Sequence, residues 1–194
     1  MGHGLPRGTA LRIASDHVAG LPVAIDIIDA ISPAVQYNES ESFETPALST
    51  DAATMPPDNL KITWSSELSV GVNKLDEHHK NIINTFNKLL LAVEDAQADS
   101  EIVSDTLTKL TQYAVEHFRE EESLLEQAAY PGIEDHRKEH QQFQEKIVQC
   151  CLAASIGVRT VPRELLAYLH DWLNHHLLEQ DMKYKPFLTA PKVR

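Results

Sequence analysis

Along the last two thirds of the chain, stripe residues return at intervals of three and four, the period of one helix face. Leu75, His79, Ile82, Phe86, Leu89 and Val93 make the first stripe. Val103, Leu107, Leu110, Ala114, His117, Glu121 and Leu124 make a longer second one, with Asp99 and Ser100 as candidate caps. Tyr130, Pro131 and Gly132 then punctuate the chain, and His136, His140, Phe143, Ile147 and Cys150 or Cys151 line a third face. Gly157 ends that segment. Pro162, suited to a first helical turn, opens a fourth, whose stripe is Leu165 or Leu166, Leu169, Trp172 or Leu173, and His176. Four amphipathic helices on short connections predict an all-α fold, an antiparallel up-down four-helix bundle in which each stripe buries against its neighbours. Ahead of them, residues 61–73 carry β-branched residues, Trp64 and Gly71 without helical period, which predicts an extended N-terminal arm packed on the bundle.

The beginning of the chain has another character. Its first 60 residues hold six of the ten Pro, four of the seven Gly, eight acids, two Arg and no Lys, with Ser and Thr clustered over residues 40–54. So few large apolar side chains cannot bury enough surface to offset ordering entropy. Residues 1–60 are therefore expected to form a disordered, low-complexity tether, with at most one short helix over residues 24–31, and residues 61–190 the bundle domain. Met55 stands just before the compact region, so residues 1–54 also read as an upstream extension that a shorter cellular product lacks.

Length and charge narrow the function. The 194 residues have room for one main core and an appendage. Seventeen Lys plus Arg against 29 Asp plus Glu give a formal charge of -12, which repels phosphate backbones and anionic membrane surfaces and argues against a nucleic-acid partner. No apolar run approaches the roughly 20 residues of a membrane helix. Pro22, Asp26, Asp29 and Pro33 interrupt the one stretch that could resemble a signal peptide. The only cysteines, Cys150 and Cys151, are adjacent and cannot staple one element to another, so a reducing, cytoplasmic setting and a packing role are expected.

Ten histidines are the informative excess. The stripes contain residues that a core avoids: His79 on the first helix, His117 and Glu121 on the second, His136 and His140 on the third, His176 on the fourth. Each unpaired buried polar group costs about 1–3 kcal/mol, so a core holding all six needs something that satisfies them together, and a metal centre does. His117 and Glu121 are four apart, as are His136 and His140, so each pair projects from one face. Five imidazoles and at least one carboxylate exceed the four ligands of a structural zinc site, which favours two metal ions. Asp181 is the candidate second carboxylate. It lies five residues beyond His176, a rotation of about 140° on an ideal helix. The two converge only if the centre lies between their directions or the helix bulges locally, and spacing does not choose.

The combination Trp64…Val70-Gly71, Leu75-Asp76-Glu77-His78-His79, His117-Phe118-Arg119-Glu120-Glu121, His136-x-x-x-His140 and Trp172-x-x-x-His176-x-x-x-x-Asp181-x-x-Tyr184 resembles the bacterial hemerythrins. The resemblance covers residues 62–188. It implies a non-haem di-iron centre that binds O2 reversibly within a four-helix bundle. His136, His140 and His176 would terminate one iron and saturate it; His79 and His117 would terminate the other, leaving one open position. Glu121 and Asp181 would bridge the two irons together with a solvent-derived oxygen. The O2 pocket would be walled by Ile82, Phe118, Trp172, Leu173 and Leu177, and the protein would donate no acid or base.

Departures and rivals complete the picture. His78 lies where relatives often carry Gln, and His175 precedes the matched His176; a one-residue slip turns a side chain by about 100°, so both are expected to face solvent. Glu120 and Glu122 read as a solvated acidic face, and His3, His17 and His170 receive no role. A di-iron oxidase of the ferritin-like kind needs Glu-x-x-His motifs, and a zinc hydrolase His-Glu-x-x-His; neither occurs in the sequence. A sensor of O2, redox state or iron that signals through the N-terminal tether is the remaining alternative. No protein partner is evident in the sequence.

Overall fold

The structure, a computed structural model, describes residues 60–94 and 100–190. The expected tether, apart from Leu60, therefore lies outside the described residues, as do Met55, the short helix over residues 24–31 and the cap candidate Asp99. The described elements begin with a 3-10 turn at Ser66–Leu68, followed by α1 (Asn73–Glu94), α2 (Ser100–Gln127), α3 (Ile133–Ser155) and α4 (Val161–Trp172). Beyond α4 the chain stays helical through a π segment, Leu173–Gln180, into α5 (Asp181–Thr189). With α4, the π segment and α5 taken as one rod, this is the all-α, up-down four-helix bundle. α1 and α3 each pack on both α2 and α4. Among the described residues there is no strand, and no helix is long and apolar enough to cross a membrane.

Two helix ends obey the same local rule. At the end of α2, the Tyr130 N–H donates to the Leu125 carbonyl and the Ala129 N–H to that of Glu126, each at 3.0 Å, with Ala129 in the left-handed region at φ 50°. At the end of α3, Val158 and Gly157 donate in the same way to Ala153 and Ala154, and Gly157 has φ 77°. This reciprocal pair of bonds satisfies the last carbonyls of a helix and usually requires glycine at the left-handed position. Gly157, expected to end the third helix, does so in that role. Pro162 sits in the first turn of α4, where its missing N–H costs nothing, and Ser100 is the first residue of α2.

The arm runs along the bundle without joining a sheet. Ile62 is held at both backbone groups by the Asn87 side chain, at 3.2 Å and 2.7 Å. Asp76 on α1 is buried yet satisfied: it accepts from the Ser69 hydroxyl at 2.6 Å and the Val70 N–H at 2.9 Å. Together these contacts fix where the arm turns into α1.

Apolar packing divides into two bodies. The larger includes Ile82, Phe86, Leu110, Phe118, Phe143, Leu169 and Leu173; the smaller consists of Val70, Leu75, Leu125 and Tyr184. On three of the rods a buried candidate donor falls between members of the two: His79 between Leu75 and Ile82, Glu121 between Phe118 and Leu125, Asp181 between Leu177 and Tyr184. A polar layer thus crosses the core, and all four rods contribute to it.

Candidate metal centre

His79, His117, Glu121, His176 and Asp181 have no exposed surface, and His136 and His140 are 4% and 2% exposed. α1 supplies His79, α2 supplies His117 and Glu121, and α3 supplies His136 and His140. The fourth rod supplies His176 and Asp181, and here the backbone departs from α geometry. The Asp181 N–H donates to the His176 carbonyl, a bond across five residues. A π turn accommodates one extra residue per turn, so positions five apart come onto one side of the rod. The local bulge is therefore the option by which Asp181 reaches the layer.

Two groups of candidate donor atoms result. Glu121, His136, His140 and His176 form one, and His79, His117 and Asp181 the other; within each, the atoms lie within 4.8 Å of one another. Both carboxylates face both groups. Glu121 Oε1 is 3.1 Å from His136 Nε2, and its Oε2 is 3.0 Å from His117 Nε2. Asp181 Oδ2 is 3.3 Å from His79 Nε2, and its Oδ1 is 3.3 Å from His176 Nε2. Even so, Glu121 Oε2 and both Asp181 oxygens are buried without a hydrogen-bond partner.

The imidazoles pose the same problem from the other side. His140 Nε2 lies 3.1 Å from His176 Nε2, and His79 Nε2 lies 3.2 Å from His117 Nε2. His140 Nδ1 is 2.7 Å from Glu122 Oε1, and His176 Nδ1 is 2.7 Å from Glu139 Oε2. A carboxylate can only accept, so each of those Nδ1 atoms carries the hydrogen and each Nε2 presents a lone pair. Two facing lone pairs at this separation repel unless a cation sits between them. Orphaned carboxylate oxygens and opposed imidazole lone pairs together fit a bound metal.

Burial sets the charge states. It holds His79 well below the usual imidazole range, with His117 adding to the effect, lowers His140, and brings His176 to about 4. Burial works to raise Glu121, but His117, His136 and His140 outweigh it and hold the carboxyl well below its usual range. Asp181 goes the other way: burial, then the charge of Glu121, lift it well above. Two buried carboxylates this close do not both ionise unless positive charge is supplied.

The five expected wall residues are all buried. Phe118 stacks on His140 with centroids 3.7 Å apart and planes 6° apart, and Trp172 stacks on His176 at 4.4 Å and 17°, so these two flank the four-donor group. Beside the three-donor group stand residues that the sequence did not single out for a wall. Tyr113 stacks on His117 at 4.5 Å, its hydroxyl buried and unpartnered, and Trp64 of the arm lies 6.4 Å from His79. Tyr113 stands next to Ala114 of the second stripe, where a tyrosine in sequence looks like any core residue. A groove of about 350 Å³ along α1 and α2 includes Ile82, Tyr113 and His117 in its lining.

Two expectations change. Glu122 is not simply a solvated acid, since it turns inward to His140, and Glu139, given no role by the sequence, does the same for His176. His78 is partly buried rather than solvent-facing; its ring meets His117 edge-on at 5.6 Å and its Nδ1 is shielded without a partner. His175 is mostly exposed, as expected. Cys150 and Cys151 are buried free thiols in the larger apolar body, both pushed up to about 11 by burial, which fits packing.

Comparison with known proteins agrees with this geometry. The chain is 28% identical over 129 residues to a bacteriohemerythrin of Stenotrophomonas maltophilia (strain R551-3), covering 66% of this chain and 82% of that protein. It is 30% identical over 125 residues to a bacteriohemerythrin of Pseudomonas aeruginosa (strain LESB58), covering 63% and 78%. A hemerythrin-like protein of Naegleria gruberi is 29% identical over 137 residues, covering 71% and 99%. The family model of the hemerythrin HHE cation binding domain matches residues 70–188, a span that includes the polar layer on all four rods, and the chain belongs to the hemerythrin family.

Proposed function

We propose that the polar layer holds two non-haem iron ions and that the chain binds O2 there reversibly. One observation carries this reading: the buried donors divide into a set of four and a set of three, and Glu121 and Asp181 each face both. In the reading, His136, His140 and His176 hold one ion, His79 and His117 hold the other, and the two carboxylates are shared. The end with fewer protein donors keeps a position for an exogenous ligand. Bound ferrous ions supply the electrons and the coordination position that O2 requires.

The chain's own residues do the rest. Neutral imidazoles offer Nε2 lone pairs, and the two carboxylates offset positive charge that burial would otherwise penalise. Ile82, Phe118, Trp172, Leu173 and Leu177, with Tyr113 and Trp64 near the three-donor end, keep water from the layer. Ile82, Tyr113 and His117 share the lining of the surface groove, which makes it the route of entry in this reading. An imidazole-rich set with two carboxylates supports binding over turnover, so the chain is read as an O2-binding metalloprotein and not an enzyme. Its two unpaired thiols support the cytoplasmic setting.

The test is anaerobic reduction of the iron-loaded protein followed by air, with visible absorption and an iron count. A reversible, oxygen-dependent band at two irons per chain is expected. Sustained consumption of reductant would replace binding with oxidase chemistry, and an iron-free sample from iron-rich growth would overturn the reading altogether.

A further inference from the structure

We propose that Glu122 and Glu139 are positioning residues that make the two ends of the centre unequal. Glu122 Oε1 accepts from His140 Nδ1 and Glu139 Oε2 from His176 Nδ1, both at 2.7 Å, so two imidazoles of the four-donor set are backed by carboxylates. The three-donor set has no such backing: His79 Nδ1 and His117 Nδ1 are buried and partnerless. Each backing carboxylate is held from its far side as well. Glu122 Oε2 accepts from Arg137 Nε at 3.3 Å, and Arg137 is itself held by Glu126 and Glu134. Glu139 Oε1 lies 3.6 Å from His175 Nε2.

A carboxylate on Nδ1 fixes the tautomer, locks the ring's orientation and makes Nε2 a stronger donor. His140 and His176 are therefore aimed and electron-rich before any ion arrives, whereas His79 and His117 have no partner on Nδ1 to do the same. The inference rests on the two-ion reading and adds an order to it: the four-donor end fills first and holds its ion more tightly, and the end that takes the exogenous ligand fills second.

Titration of the full chain, stripped of metal, with Co(II) alone tests this through visible absorption and stoichiometry. The parent should take two successive equivalents. Glu122→Gln and Glu139→Gln should each weaken the first equivalent about 10–100-fold and leave the second unchanged. The alanine variants should weaken it further, because the amide oxygen of glutamine still accepts the Nδ1 hydrogen. Both side chains are partly exposed, so the variants keep a folded bundle, and circular dichroism checks this. With Zn(II) bound, the Nδ1 proton of His140 should be slow to exchange and should move on Glu122→Gln while that of His176 stays, a response that a merely structural role would not give. A parent that takes fewer than two equivalents overturns the two-ion reading and this inference together. A parent that takes two, with variants unchanged or weakened equally at both steps, overturns the inference alone.

Discussion

The Nε2 atoms of His140 and His176 face one another at 3.1 Å while carboxylates hold the Nδ1 hydrogens of both rings. Such a pair has no proton to share, because burial keeps both rings neutral, His176 down to about 4. Its arrangement is stable only with positive charge between the rings, which makes either ring a sensitive point of attack. His176→Ala is expected to lower bound iron below two per chain and to shrink the gap in melting temperature between loaded and metal-free protein. In the parent that gap reflects about 2.7 kcal/mol for each occupied site when free metal exceeds that site's dissociation constant 100-fold. An iron count that stays at two in the variant would contradict the placement of His176.

Acid should act on the metal-free bundle by a route that the buried histidines define. His79, His140 and His176 are lowered by burial from an unfolded value near 6.5, so below that pH the unfolded chain takes up protons that the folded one refuses. Their contribution is fully present above about pH 6.5 and is lost as pH falls through the lowered folded values; for His176 that value is about 4 and the contribution is on the order of 3 kcal/mol. Glu121, Glu122 and Glu139, all held low, lose theirs in the same direction at more acid pH. Asp181 is raised and opposes them, since its protonated form favours the folded state as pH falls. Between pH 7 and pH 4.5 three histidines oppose one aspartate, so the urea midpoint in chelator should fall over that interval. A midpoint that held constant or rose would show the layer to be solvated.

These sensitivities separate what the sequence makes legible from what it does not. Stripes at three and four placed the four rods, because burial of one face is a one-dimensional pattern. The same pattern exposed His79, His117, Glu121, His136, His140 and His176 as polar residues on core faces. Asp181 was ambiguous for a physical reason: five-residue spacing is off-face on an α-helix and on-face through a π turn, and the backbone bond to His176 that decides it leaves no mark on hydrophobic period. Glu122 and Glu139 were obscured by the acids and bases around them, which resemble any solvated helix face. Their roles depend on which acid leans across to the neighbouring helix, a tertiary fact.

The ends of α2 and α3 offer a matched pair of substitutions. Ala129 occupies the left-handed position that Gly157 fills in the other helix, at φ 50° against φ 77°. A left-handed conformation costs an L-residue about 1–2 kcal/mol, partly offset by the looser unfolded chain that glycine brings, so Ala129→Gly should stabilise by about 0.5–1 kcal/mol. Gly157→Ala should destabilise by about 1 kcal/mol through φ alone, because an added Cβ there meets nothing within 4 Å. Denaturant midpoints of the metal-loaded protein measure both, and equal signs for the two changes would refute the shared rule.

Asp181→Asn should separate stability from metal binding. Asp181 is fully buried, neither oxygen has a hydrogen-bond partner, and burial with the charge of Glu121 raises its carboxyl well above the usual range. A group whose folded value is raised contributes stability below its unfolded value, about 4, and loses it as pH rises through the folded one. Asparagine keeps the shape without that loss, so in chelator the variant should match the parent near pH 4 and exceed it by on the order of 1 kcal/mol at pH 8. With iron present the order should reverse. The shared carboxylate is gone, the variant should hold fewer than two ions, and the parent should melt higher. Urea unfolding at the two pH values together with iron counts measures each arm, and a variant less stable than the parent at pH 8 in chelator would show that Asp181 supports the empty bundle instead of straining it.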